Sequence, residues 1–144
     1  MVITQVPETP NPAPDGGQAV SLDELLADAR SGLDRVGPAQ ADAAVRSGAI
    51  LVDIRPEAQR RDEGEIPGAV IIERNVLEWR VAPSSDHRRP EFDDPDRQVI
   101  VFCSAGYASS FAAATLRSLG VDATDLDGGF QAWLAAGLPT SHQP

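Results

Sequence analysis

Apolar residues along the chain fall into two kinds of run, short β-branched stretches and longer stretches with helical spacing. The β-branched runs are Ala49-Ile50-Leu51-Val52-Asp53-Ile54, bounded by Gly48 and Pro56, then Gly68 to Ile72, Gln98 to Phe102, and Asp122 to Leu126. Each is too short for a helix and is bounded by turn formers, so each predicts a strand. Helices are predicted between them. Pro38 sits at a tolerated first-turn position and opens one over Ala39–Arg46, Asn75 to Arg80 makes a short one, and the Ala-rich segment Ser109–Leu119 makes another that stops at Gly120. A last short helix follows Gly128-Gly129 through Trp133 and ends at Gly137 and Pro139, while Ala82 to Arg97, rich in Pro, Asp and Arg, reads as a long surface loop. Strands alternating with helices imply a parallel sheet with helices on both faces.

Upstream of this pattern the chain changes character. Residues 1–20 carry Pro7, Pro10, Pro12 and Pro14 followed by Asp15-Gly16-Gly17, with little to bury, and are expected to be a disordered leader. Ser21-Leu22-Asp23-Glu24 then has the form of a capping box, with Leu22, Leu25, Leu26 and Ala29 at helical spacing up to Gly32. Residues 21–32 are therefore read as an extension helix packed on the core, 33–140 as one α/β domain, and 141–144 as a tail. A chain of 144 residues has room for one such domain.

Composition narrows the function. With 42% hydrophobic but only 5% aromatic residues, the core must come from Val, Ile, Leu and Ala. The formal charge is −10, and all twelve basic residues are arginine. Counterion-release binding needs a basic face, so no nucleic-acid partner is expected. No run approaches the ~20 apolar residues of a membrane span, and the first residues lack a basic-then-apolar signal, so a cytoplasmic protein with no membrane partner is expected. The single cysteine, Cys103, excludes an internal disulfide and any Cys-based metal cluster, and no metal or cofactor is expected.

That thiol is the candidate for chemistry. A strand ending at Phe102 delivers Cys103 to the carboxyl edge of a sheet, where open α/β proteins bind ligands. The short loop Ser104-Ala105-Gly106-Tyr107-Ala108 leads into a helix near Ser109, so successive loop amides and the positive helix end can face the sulfur and stabilise a thiolate, the nucleophilic form. The plain alternative is an inert buried cysteine at a strand end.

The residues also resemble a known family. Leu51-Val52-Asp53-Ile54-Arg55, Gly64-Glu65-Ile66-Pro67-Gly68-Ala69, Val101-Phe102-Cys103-Ser104-Ala105-Gly106 and Leu126-Asp127-Gly128-Gly129-Phe130-Gln131-Ala132-Trp133 fall in the order and spacing of rhodanese domains, over about residues 33–140. The resemblance implies a single-domain rhodanese-like fold, a five-stranded parallel sheet flanked by helices on both faces. It also implies sulfur transfer. Cys103 would take sulfane sulfur from a small-molecule donor, thiosulfate or a persulfide, hold it as Cys–S–SH within the amides of Ser104 to Ala108, and pass it to a thiol, cyanide or protein acceptor. Having no second cysteine, the chain needs an external acceptor.

The departures from the family bear on donor choice. Active thiosulfate sulfurtransferases usually carry basic residues directly after the cysteine and at the sixth loop position, where this chain has Ser104 and Ala108. An anionic donor thus lacks guanidinium partners within the loop, although seven arginines lie between Arg55 and Arg89. Glu65 stands where the family more often has His and is read as structural. Asp53 and Arg55 match the family's D-x-R and are expected to form an internal ion pair bracing the loop, with Ser109 in a supporting place. Tyr107 either lines the pocket mouth or is simply exposed, Phe130 and Trp133 are expected core anchors, as is Trp79, and His87 and His142 are not candidates for a base. Two other functions compete. A rhodanese-like binding or regulatory module without turnover is the alternative, and a phosphatase is disfavoured because its Arg at the sixth position after the cysteine is here Ser109.

Overall fold

The computed structural model describes residues 18–142. Four strands, β1 (Ile50–Asp53), β2 (Val70–Ile71), β3 (Val99–Phe102) and β4 (Ala123–Asp125), form a parallel sheet in the order β2-β1-β3-β4. The helices are α1 (Leu22–Ser31), α2 (Pro38–Arg46), α3 (Glu57–Glu63), α4 (Leu77–Val81), α5 (Ala108–Ser118) and α6 (Gly129–Ala135).

Strand alternation sorts the core into two layers. Ile50, Val52, Val99 and Val101 face one way and meet Leu77 and Val81 of α4 and Ala112 and Leu116 of α5. Leu51, Ile100 and Phe102 face the other way, against Ala41 of α2 and Phe130 and Trp133 of α6. Because β1 and β3 are covered on both sides, all their residues are buried, which is why they read as unbroken apolar runs.

The expected fifth strand is absent from the sheet among the described residues. Its place beside β4 is taken by one residue, Val36, whose N–H donates to Asp125 O at 3.2 Å and whose carbonyl accepts from Asp127 N–H at 2.8 Å. Pro38 lies two residues on, has no N–H to continue a ladder, and already begins α2, so the pairing stops at a single bridge. Trp79 is also not a core anchor: it is 58% exposed, on the outer side of α4. Helix α3 has no counterpart in the apolar pattern because it buries none of its residues. On the far edge, β2 is only two residues long, and Arg89 reaches back to the Ile71 carbonyl at 3.4 Å.

The leader expected over 1–20 lies, as far as residue 17, outside the described residues. Helix α1 begins with the capping box, Ser21 Oγ accepting from Glu24 N–H at 3.1 Å and Glu24 Oε1 from Ser21 N–H at 3.4 Å, and it lies against α5 without burying any residue fully. Ser141 pairs with Glu65 by two backbone hydrogen bonds, 2.7 and 2.8 Å, tying the end of the chain to the segment after α3. No helix among the described residues is long and apolar enough to cross a membrane.

Candidate active site

Strand β3 ends at Phe102, and the next residue, Cys103, stands half-buried at the carboxyl edge of the sheet. Its Sγ accepts N–H donors from Gly106 at 3.3 Å and from Ser109, in the first turn of α5, at 3.4 Å. Both are backbone donors, supplied by the loop and by the start of α5 rather than by a side-chain cation. Cys103 lines a cavity of about 410 Å³ together with Ala108, Ile54, Pro56, Gln59 and Arg74.

Two close backbone approaches hold the loop in shape. The first residues of α6 dock on it, Phe130 N–H donating to Cys103 O at 2.8 Å and Gln131 N–H to Ser104 O at 3.0 Å. This contact requires glycine at 129: φ is +61°, and a Cβ there would lie 2.5 Å from Cys103 O and 2.7 Å from Ser104 O. Gly106 is constrained in the same way, since φ is +88° and a Cβ would lie 2.8 Å from Gly128 N.

Two buried ion networks brace the loop from either side. Arg55, wholly buried, donates to both oxygens of Asp53 at 3.0 and 2.7 Å, to Glu63 Oε1 at 3.1 Å and to Gly64 O at 2.9 Å, with its guanidinium 4.3 Å from the Phe130 ring centroid. Burial alone would lower the Arg55 pKa, but the Asp53 hydrogen bond and the charges of Asp53 and Glu63 raise it above the ordinary value, so the group stays cationic. Glu63 then reaches the loop, its Oε2 accepting from Ser104 Oγ at 2.8 Å and Gln131 Nε2 at 2.9 Å. On the other side Asp125, buried in β4, accepts from Ser109 Oγ and Ser110 Oγ, both at 2.8 Å, and from Arg35 at 2.9 and 3.1 Å. Arg35 is likewise raised: burial works to lower it, and the Asp125 hydrogen bond with the charges of Asp125, Asp127 and Cys103 outweighs that.

The structure thus brings Cys103, Gly106 and Ser109 together through the sulfur, and Ser104 joins the loop to Glu63 by its side chain. Ala108 lines the cavity, whereas Ala105 and Tyr107 face outward, Tyr107 being 61% exposed with the Arg30 guanidinium 5.5 Å from its ring centroid. Asp53 and Arg55 lie behind the loop as an ion pair, and Glu65 pairs with Arg60 at 3.2 Å. Of the arginines between 55 and 89, Arg55 and Arg74 line the cavity, and Arg74 is bound to both Glu78 oxygens at 2.8 and 2.9 Å. Sequence reasoning missed Glu63, Asp125, Arg30 and Arg35. Two of these carry a signal in hindsight, a carboxylate inside a buried strand at Asp125 and an arginine next to Val36, whose pairing places it beside β4.

The fold is shared with known proteins. A family model for the rhodanese-like domain matches residues 37–136. Thiosulfate sulfurtransferase GlpE of Pseudomonas savastanoi pv. phaseolicola is 34% identical over 102 residues, covering 70% of this chain and 87% of that protein. The protein of the same name from Pseudomonas fluorescens SBW25 is 37% identical over 101 residues, covering 69% and 83%. Among solved structures, a Rhodopseudomonas palustris protein described as a possible tyrosine phosphatase superposes with a TM-score of 0.76 at 30% identity, over 87% of this chain and 98% of that one. Thiosulfate sulfurtransferase from Pseudomonas aeruginosa gives 0.62 at 27% identity, over 76% of this chain and 19% of that one. With the cysteine loop, the D-x-R pair and the glycine-dependent docking of α6 all in the matched region, the chain belongs to the rhodanese-like domain family, as a single-domain rhodanese-type sulfurtransferase.

Proposed function

We propose that Cys103 carries sulfane sulfur as a persulfide and passes it to an external thiol or other nucleophilic acceptor. The observation that carries this reading is a thiol receiving two backbone N–H donors while lining an accessible cavity. In the first step the Cys103 thiolate attacks the outer sulfur of the donor. The donor's S–S bond breaks and its electron pair leaves on the organic thiolate, or on sulfite when the donor is thiosulfate. In the second step an acceptor thiolate or cyanide attacks the outer sulfur of Cys103–S–S⁻ and the Cys103 thiolate departs, so the cycle is redox-neutral.

An organic persulfide suits this cavity better than thiosulfate. Of the two guanidinium groups that line it, Arg55 is committed to Asp53 and Glu63, and Arg74, held to Glu78 through Nη1 alone, is the one partner left for a sulfonate, outside the cysteine loop. The phosphatase reading, prompted by the Rhodopseudomonas palustris relative, meets the same difficulty. Ser109 stands where a phosphate-holding arginine is needed, and its hydroxyl is turned to Asp125.

Intact-mass measurement after incubation with thiosulfate, cysteine persulfide or glutathione persulfide tests the reading. One added sulfur on the wild type and none on Cys103→Ser is expected, with faster loading from the persulfides. A protein that takes up no sulfur from any of the three is instead a binding module.

A further inference from the structure

Two guanidinium groups from outside the region that the family model matches converge on one carbonyl of the cysteine loop. Arg30, in the last turn of α1, donates from Nη2 to Gly106 O at 2.7 Å and from Nε to Ser110 Oγ at 3.0 Å. Arg35, between α1 and α2, donates from Nη2 to the same Gly106 oxygen at 2.9 Å while holding Asp125. Neither reaches the cavity. Both meet the loop at a carbonyl rather than at the sulfur.

We propose that Arg30 and Arg35 are positioning residues for sulfur transfer: by clamping the Gly106 carbonyl outward they turn the Tyr107 N–H inward, as a donor to the outer sulfur carried on Cys103. A trans peptide unit points its C=O and N–H in opposite directions, so fixing the oxygen of the 106–107 peptide fixes the direction of the Tyr107 N–H. Among the hydrogen bonds of the described residues none uses that N–H, while its neighbours at Gly106 and Ser109 already serve Sγ itself. A carbonyl that accepts from two cations is polarised, and the polarisation strengthens the N–H across the same peptide unit. A loop without a charge of its own thereby gains the effect of two charges held at its carbonyl. The extension helix α1, which buries no residue fully, is then kept on the domain in part by a bond to the loop it tunes.

The inference rests on sulfur transfer through Cys103, and the test separates the two. Arg30 is the residue to change, because Arg35 also neutralises buried Asp125. Arg30→Met is expected to lower kcat about tenfold, less than the ~10²–10³ that loss of a direct donor brings. KM for the donor should stay within about twofold, since Arg30 does not line the cavity, and Arg30→Lys should recover part of kcat because a point charge still reaches the carbonyl. In ¹H–¹⁵N spectra the Tyr107 amide proton should move downfield when wild type is loaded with sulfur, and move less in Arg30→Met. A folded Arg30→Met with wild-type kcat, or a wild-type Tyr107 amide indifferent to loading, overturns the clamp while leaving sulfur transfer standing. If Arg30→Met does not fold, the wild-type amide shift and Arg30→Lys decide. A wild type that never loads sulfur removes both readings together.

Discussion

Replacing Gly129 by alanine probes the contact on which the geometry of the cysteine loop depends. The new Cβ would stand 2.5 Å from Cys103 O and 2.7 Å from Ser104 O, both backbone atoms with no rotamer to yield. Relief requires the start of α6 and the loop to separate by roughly half an ångström or more, which stretches the Phe130–Cys103 and Gln131–Ser104 hydrogen bonds from 2.8 and 3.0 Å towards breaking. Losing both costs about 1–3 kcal/mol, and holding alanine at a φ of +61° adds about 1–2 kcal/mol. The total of about 2–5 kcal/mol corresponds to a fall in Tm of about 8–20 °C for a domain of this size. Gly137→Ala is the matched control, since its φ is +74° but nothing lies within 4 Å of the added Cβ, so only the conformational cost applies. The assays are thermal unfolding of both variants and sulfur transfer at a temperature where both are folded. Gly129→Ala should lose at least tenfold in kcat, because a loop shifted by this much misplaces the nucleophile, and Gly137→Ala should keep its activity. Equal Tm losses in the two variants, with activity intact in both, would refute the docking of α6 on the loop.

Three further outcomes follow from the site. Arg55→Met leaves Asp53 buried without its partner and should destabilise the protein by about 3–5 kcal/mol in denaturant unfolding, whereas the double variant Arg55→Met with Asp53→Asn should recover part of that loss. Ala108→Arg places a free guanidinium at the cavity wall and should raise kcat/KM for thiosulfate roughly 10- to 100-fold, the value of a charge-assisted bond of ~1.5–3 kcal/mol, with little change for an organic persulfide; no gain in a folded variant would mean that loop charge does not set donor choice. Glu63→Gln weakens the link from Arg55 to Ser104 and should lower kcat severalfold while costing only about 1 kcal/mol of stability, a split checked by pairing kinetics with urea unfolding.

How much of this was visible in the sequence depended on what each residue buries. Strands β1 and β3 were legible because they are covered on both faces and so are apolar throughout. The loop was legible for a related reason: a cysteine immediately after such a strand, with a glycine three residues on, has few places to go. Helix α3 was silent because it faces solvent, yet it supplies Glu63, the residue that links Arg55 to the loop. The fifth strand was expected from the family and shrank to Val36 because Pro38 follows too closely. Trp79 misleads in the opposite sense: a large aromatic in a short helix suggests a core anchor, yet its side chain is exposed. Arg30 and Arg35 were hidden by distance along the chain, lying more than seventy residues before the carbonyl they bind, where no local pattern reports the contact.

The way the sheet ends on each side also governs how the protein behaves when crowded. A parallel sheet of four strands has two rims of backbone donors and acceptors, and an open rim is a template on which another chain can add a strand. Here one rim is filled by the bridge at Val36, and the other is a two-residue strand whose Ile71 carbonyl is met by Arg89. Among the described residues neither rim offers a long run of strand backbone from which edge-to-edge aggregates grow. Short rims of this kind limit pairing through the β-branched runs, and the net charge of −10 adds a mutual repulsion that works in the same direction.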